Sequence, residues 1–133
     1  MNRLSGKIKR IQKSGSILLV DVDVDGHGFS ALLIESAAFP EWLQEGHSVD
    51  LLFKETEVSL ARDLSGKISM RNRMTCKVLK IDKGELLSKI ELLFHSFVIH
   101  SAITTRSADM LELETGIELE ALVKANEIML MKK

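Results

Sequence analysis

The sequence predicts an all-β chain of two tandem five-stranded small barrels, each with one short helical turn. Three observations carry this. Setting Asn2-Arg3 against Asn72-Arg73 gives an offset of 70 that runs without a gap from Asn2/Asn72 to Leu60/Leu130. Within each copy the apolar residues recur at period 2, the spacing of strands with one buried face. Among 133 residues, 45% are hydrophobic but only 5% aromatic, with no Tyr and one Trp, so the cores must be built from Leu, Ile, Val and Met.

The repeat rests on 12 identities: Asn2/Asn72, Arg3/Arg73, Lys7/Lys77, Ile11/Ile81, Lys13/Lys83, Ala38/Ala108, Leu43/Leu113, Gly46/Gly116, Leu52/Leu122, Lys54/Lys124, Glu57/Glu127 and Leu60/Leu130. Conservative pairs such as Ser5/Thr75, Ile8/Val78 and Val58/Ile128 fill the intervals. This marks a duplication, with a first copy over residues 2–61 and a second over 69–131. A unit of about 60 residues buries too little surface to be more than marginally stable alone, so the copies are expected to pack together and to oligomerise. The intervening Ala61 to Ile68 is short and polar with one Gly, a connection between closely docked units.

In the first copy, Ile17, Leu19, Val20, Val22 and Val24 alternate with Asp21, Asp23 and Asp25; Val78 to Ile81 and Ile90 to Phe94 are strands in the second. Gly26-His27-Gly28 marks a hairpin from which Phe29 to Ile34 returns. Ser36 to Leu43, with Pro40, and Ser107 to Leu113 read as the short helical turns, closed by Gly46 and Gly116 as helix-terminating glycines. Val49 to Phe53 with Glu57 to Leu60, and Leu119 to Val123 with Glu127 to Met131, read as final hairpins. Five short strands with a helical turn before the fourth is the order of an OB-like barrel.

Charge excludes some functions. Eighteen Lys and Arg against 19 Asp and Glu leave −1, so there is no global basic field to draw the chain onto nucleic acid or an anionic membrane. No apolar run approaches the roughly 20 residues of a membrane span, and Met1 to Gly6 lacks a secretory apolar region. A single cysteine, Cys76, in an alternating stretch reads as a buried thiol in a reducing, cytoplasmic setting.

The chemical motifs are few. Asp21-Val22-Asp23-Val24-Asp25-Gly26 opens like a calcium loop, but position twelve is Leu32 instead of a bidentate Glu. His27, His47, His95 and His100 show no metal-site spacing, and one cysteine completes no zinc set. There is no nucleophile elbow, no Cys beside a His and no glycine-rich phosphate loop. The expectation is a protein that is not an enzyme and holds no free cation.

Three segments of the second copy lack Asp and Glu: Ser69-Met70-Arg71-Asn72, Thr104-Thr105-Arg106-Ser107 and Val123-Lys124-Ala125-Asn126. All fall at strand ends, where backbone N–H groups are free as well. Hydroxyls, amides and a cation are what a small tetrahedral oxyanion requires, since it offers only acceptors and negative charge. Ser, Thr and Asn are also ordinary loop residues, so residue type alone leaves both readings open.

At these residues the chain resembles the molbindin domain, also described as the transport-associated OB domain. The matching features are Ser69-Met70-Arg71-Asn72, the Lys-Val-x-x-Ile strand after it, Ala102 to Ser107, Leu113 to Gly116, and Val123-Lys124-Ala125. The resemblance implies a five-stranded OB-like module that binds molybdate or tungstate between modules, the Ser-x-Arg-Asn segment of one completing the pocket of another. It also implies a homo-oligomer, with three two-copy chains forming a pseudo-hexamer, used for intracellular oxyanion storage or homeostasis. Carried over, Ser69 and Arg71 contribute from one module, Thr104, Ser107 and Lys124 from its neighbour, and backbone amides near Met70 and Ala125 finish the shell. Met70 departs from the small residue usual there. The first copy departs further: Ile34 stands opposite Thr104, Ala37 opposite Ser107, and Glu35 adds a carboxylate, leaving Lys54 and Ser36 as its candidate donors.

Two other functions fit the fold. One is an interaction module regulating a molybdate transporter or a transcription factor through a separate chain. The other is an OB-fold nucleic-acid binder, which needs stacking aromatics in a basic groove; one Trp, five Phe and a charge of −1 argue against it.

Overall fold

The computed structural model describes residues 1–34 and 39–133. The first repeat supplies β1 (Asn2–Ser14), β2 (Ile17–Val24), β3 (His27–Ile34), β4 (Ser48–Phe53) and β5 (Ser59–Ala61). The second supplies β6 (Asn72–Lys83), β7 (Leu87–Phe94), β8 (Phe97–Thr104), β9 (Glu118–Val123) and β10 (Met129–Lys132). A short helix, α1 (Thr105–Met110), follows β8, and single 3-10 turns at Glu55–Glu57 and Ala125–Glu127 precede β5 and β10.

The strands form two five-stranded sheets, in the orders β10-β4-β1-β2-β3 and β5-β9-β6-β7-β8. Two OB-like barrels are present as the sequence predicts, but each takes its last strand from the other repeat. β10 pairs with β4, from Met129 opposite Leu52 to Lys132 opposite Val49; β5 pairs with β9, from Ser59 opposite Leu122 to Ala61 opposite Glu120. This corrects the final hairpins expected inside each copy. The cause is local: Lys54 and Val58 flank the first 3-10 turn in extended conformations (φ −74°, ψ 147° and φ −93°, ψ 114°), and Lys124 and Ile128 do the same around the second. A chain leaving such a turn continues onward, whereas a tight hairpin needs positive φ to reverse it.

The β2–β3 hairpin has that geometry. Asp25 and Gly26 both take positive φ, 50° and 84°, so the turn lies one residue before the expected Gly26-His27-Gly28, and His27 already pairs with Val24. The inner face of β2 is Leu18, Val20, Val22 and Val24, all buried, while Ile17 on the outer face stays 43% exposed. These residues join Leu4, Phe29, Phe53, Met74, Ile90 and Phe94 in one hydrophobic cluster that runs through both repeats. Cys76 is part of it, and burial pushes its thiol up to about 12, only partly offset by a backbone hydrogen bond from Ala121.

The helical turn of the second repeat spans Thr105–Met110 instead of Ser107 to Leu113. Thr104 sets the start, its hydroxyl accepting from the Ser107 N–H as an N-cap. Gly116 does not terminate this helix; Glu112, at φ 52°, takes the left-handed position after it. Gly116 donates instead to the Val78 carbonyl (2.8 Å), as Gly46 does to that of Ile8 (2.7 Å). Each contact falls beside the register shift that bends β6 or β1. In the first repeat, Ser36, Ala37 and Ala38 of the expected turn, and Glu35 before it, lie outside the described residues; further on, the Leu43 N–H donates to the Pro40 carbonyl (3.0 Å).

Side chains tie the repeats together at equivalent points. The Asn2 carboxamide donates to the His100 carbonyl (2.9 Å) and accepts from its N–H (2.7 Å). Asn72 does the same at Ser30 (2.9 and 2.7 Å). Since β3 and β8 are sheet edges, each Asn satisfies an edge residue that would otherwise present open backbone groups. Arg62 of the connection donates to the Leu111 and Glu112 carbonyls (3.1 and 2.8 Å), as expected of a connection between docked units.

Candidate functional site

Strand register and the turn after β9 decide where the candidate residues meet. Lys124 follows β9, whose Val123 pairs with Asn72, and the 3-10 turn that Lys124 opens packs on β3 of the first repeat. Ser69 and Arg71 lead into β6 from the connection. Ser69, Arg71, Lys124, Ala125 and Asn126 line one cavity of about 290 Å³ together with Leu32 from β3. Among the described residues its lining has two cations, a hydroxyl, a carboxamide and no carboxylate, the donor set that suits an oxyanion. Four oxygens at the roughly 30 Å³ that a water occupies need about 120 Å³, so the cavity admits such an ion with room left for another surface. Met70, between Ser69 and Arg71, is half-buried, and its side chain does not line the cavity.

Arg71 also borders a second cavity of about 290 Å³ shared with Lys9, Asp21, Asp23 and Ser30. The would-be calcium carboxylates Asp21 and Asp23 thus border this second cavity, where Asp21 accepts from the Ser30 hydroxyl (2.8 Å). Among the described residues, no group of three or more metal-ligating side chains forms, and no helix is long and apolar enough to cross a membrane.

Thr104 and Ser107 are elsewhere. Thr104 lines a groove of about 580 Å³ with Glu85, Leu86, Thr105, Arg106, Asp109 and Met110. Its hydroxyl donates to the Ser107 hydroxyl (2.8 Å) while accepting from the Ser107 N–H (3.1 Å), which leaves the Ser107 proton as the donor this pair can offer. The 3-10 turn after Lys54 packs on β8, which ends in Thr104, and the turn after Lys124 packs on β3, which ends in Ile34. Within one chain Lys124 lines the cavity of Ser69 and Arg71, and Thr104 lines a different groove. Lys124 adjoins Arg71 because β6 and β9 pair with Asn72 opposite Val123, and Leu32 joins them because the 3-10 turn after Lys124 packs on β3.

Both halves have uncovered apolar rims. Leu86, Leu87 and Met110 flank the Thr104 groove at 81%, 58% and 78% exposure, and Ile34 ends β3 at 75%. Two cavity residues went unnoticed as ligands in the sequence. Asn126 stands in a donor-rich segment and was within reach of the same reasoning; Leu32 lies on the other repeat, and nothing in its surroundings signals it.

Residues 68–130 match the family model of the TOBE domain. Two Rhodobacter capsulatus proteins are similar over 108 residues, 80% of this chain: the molybdenum-pterin-binding proteins MopA, at 36% identity, and MopB, at 32%. The chain spans about two fifths of the length of these relatives, 41% and 40%. The cytoplasmic molybdate-binding protein ModG, solved with molybdate bound, superposes with a TM-score of 0.93 over 99% of this chain and 96% of its own, at 25% identity. A molybdate-binding protein from Sporomusa ovata is 37% identical, with a TM-score of 0.50, over 50% of this chain and 100% of its own.

Proposed function

This chain belongs to the molbindin family, whose unit is the TOBE domain, and on that premise we propose that it binds molybdate or tungstate, without catalysis, in cytoplasmic oxyanion storage or homeostasis. The observation that carries the reading is the cavity in which Ser69, Arg71, Lys124, Ala125 and Asn126 converge, with no carboxylate among the described residues of its lining. Lys124 and Arg71 balance the charge of the ion; Ser69, Asn126 and backbone amides near Met70 and Ala125 supply hydrogen bonds. Charge-assisted bonds of this kind are about twice as strong as neutral ones. ModG, which shares the fold across nearly its whole length, is a molybdate-binding protein, and this supports the choice of ion.

The site is completed by another copy. Thr104 and Ser107, with the Leu86, Leu87 and Met110 rim, form the face that a second chain brings to the open cavity, and we favour a trimer. Support comes from the separation of the two halves within one chain and from the exposed apolar side chains beside them. Scanning calorimetry with molybdate tests the binding: a ligand held by the native state at 100 times its Kd adds about 2.7 kcal/mol of stability. An unchanged transition in millimolar molybdate would overturn the proposal.

A further inference from the structure

We infer that Glu55 closes the first-repeat counterpart of the Lys124 cavity to oxyanions, so that the two equivalent positions of one chain are unequal. This rests on the oxyanion reading above. At the offset of 70, Lys124, Ala125, Asn126 and Leu32 correspond to Lys54, Glu55, Thr56 and Ala102, and Arg71 corresponds to Met1. The backbone is alike at both places: Lys54 has φ −74° and ψ 147°, Lys124 has φ −68° and ψ 145°, and each following turn packs on the equivalent edge strand. A cation and a hydrogen-bonding neighbour are therefore present twice. Besides Met1 in place of Arg71, what differs is the residue between them.

Ala125 contributes only a methyl group and leaves its cavity open. Glu55 contributes a carboxylate, and β7 and β8 hold it. Its Oε1 lies 3.2 Å from Lys89 Nζ and 3.8 Å from His100 Nδ1, and His100 Nε2 is in turn 3.4 Å from Glu91. The Glu55 side chain is 28% exposed. On the opposite side, Lys89 and His100 are replaced by Leu19 and Ser30, which offer no cation to hold a carboxylate. The charge and its holders thus occur together on one side and are missing together from the other. Beside Lys54, Glu55 behaves as a tethered anion: it repels a dianion, donates no hydrogen bond to it and occupies Lys89.

Glu55→Gln removes the charge with little change of shape, adds a donor and releases Lys89 from its ion pair. Equilibrium dialysis against molybdate with elemental analysis reads the result. The expected outcome is a second, weaker class of sites in Glu55→Gln, with molybdate bound per chain at saturation rising toward double that of the wild type. Binding should also reappear when Glu55→Gln is added to Lys124→Ala. Glu55→Asp, which keeps the charge, should stay at the wild-type stoichiometry, and Glu55→Ala provides the neutral comparison should the amide misfold. A wild type that binds while both neutral variants bind no more overturns this inference alone. A wild type that binds no molybdate overturns the oxyanion reading and this inference with it.

Discussion

Asn2 and Asn72 make the same contact on opposite sides of the molecule, each bonding both backbone groups of one edge-strand residue in the other repeat, His100 for Asn2 and Ser30 for Asn72. Both are buried, at 3% and 0% exposure. With the exchanged strands β5 and β10, these amides make the two repeats one folding unit. Asn72 also donates to the Val123 carbonyl (3.0 Å), and Val123 precedes Lys124, so the residue that fixes the interface also fixes the strand end leading to the cavity.

Asn72→Ala should therefore destabilise the chain by about 3 kcal/mol, because it leaves buried backbone groups at Ser30 and Val123 without partners at about 1–3 kcal/mol each. Asn2→Ala should cost less, having no bond equivalent to that with Val123. Urea unfolding followed by circular dichroism checks both. Equal, sub-kilocalorie losses would show that the amides do not hold the repeats together.

Lys124→Ala should abolish measurable molybdate binding in a calorimetric titration while leaving the melting transition of the unliganded protein nearly unchanged, since Lys124 is exposed. Lys54→Ala should leave the affinity close to that of the wild type. Lys54 is 63% exposed and 4.0 Å from Glu57, an ion pair worth little to stability. Equal losses of affinity in the two variants would contradict the inequality of the repeats.

Cys76 should resist alkylation in the native protein. Its thiol is buried and pushed up to about 12, far above the ordinary value near 8.5, and the thiolate is the reactive form. Iodoacetamide labelling followed by mass spectrometry should show negligible modification at neutral pH until denaturant is added. Rapid labelling without unfolding would contradict the buried assignment.

Glu127 should give stability a small pH dependence. Hydrogen bonding with Glu57 holds its carboxyl above the ordinary range, with burial and the charge of Glu57 adding to this and Lys124 opposing it. A group with a raised folded pKa binds its proton more tightly in the native state. Its contribution is full below the unfolded pKa and is lost as pH rises through the folded one. Glu127→Gln keeps a donor toward Glu57 at every pH, so the melting temperature of the variant should gain on the wild type from acid to neutral pH. A difference independent of pH would contradict the pairing.

The barrels were legible in the sequence because Asn2/Asn72, Lys54/Lys124 and the alternation through Val20, Val22 and Val24 report local structure twice over. The exchange of β5 and β10 was not legible: a strand after Lys54 has the same pattern whether it folds back on β4 or crosses to β9, and only the extended backbone on both sides of the 3-10 turn decides. The donors Ser69, Arg71 and Lys124 were identifiable by type, while their grouping with Leu32 depends on the 3-10 turn after Lys124 packing on β3. Glu55 carries no motif; its significance emerges from comparison with Ala125 and from the ion pair with Lys89.

Native mass spectrometry after exposure to molybdate tests the central claim most directly, because one spectrum reports both assembly and bound ion. Molybdate should appear on an oligomer, a trimer by preference, and not on the isolated chain, since Ser69, Arg71 and Lys124 line one cavity and Thr104 lines another. A monomer that carries molybdate, or an oligomer that carries none, would contradict it.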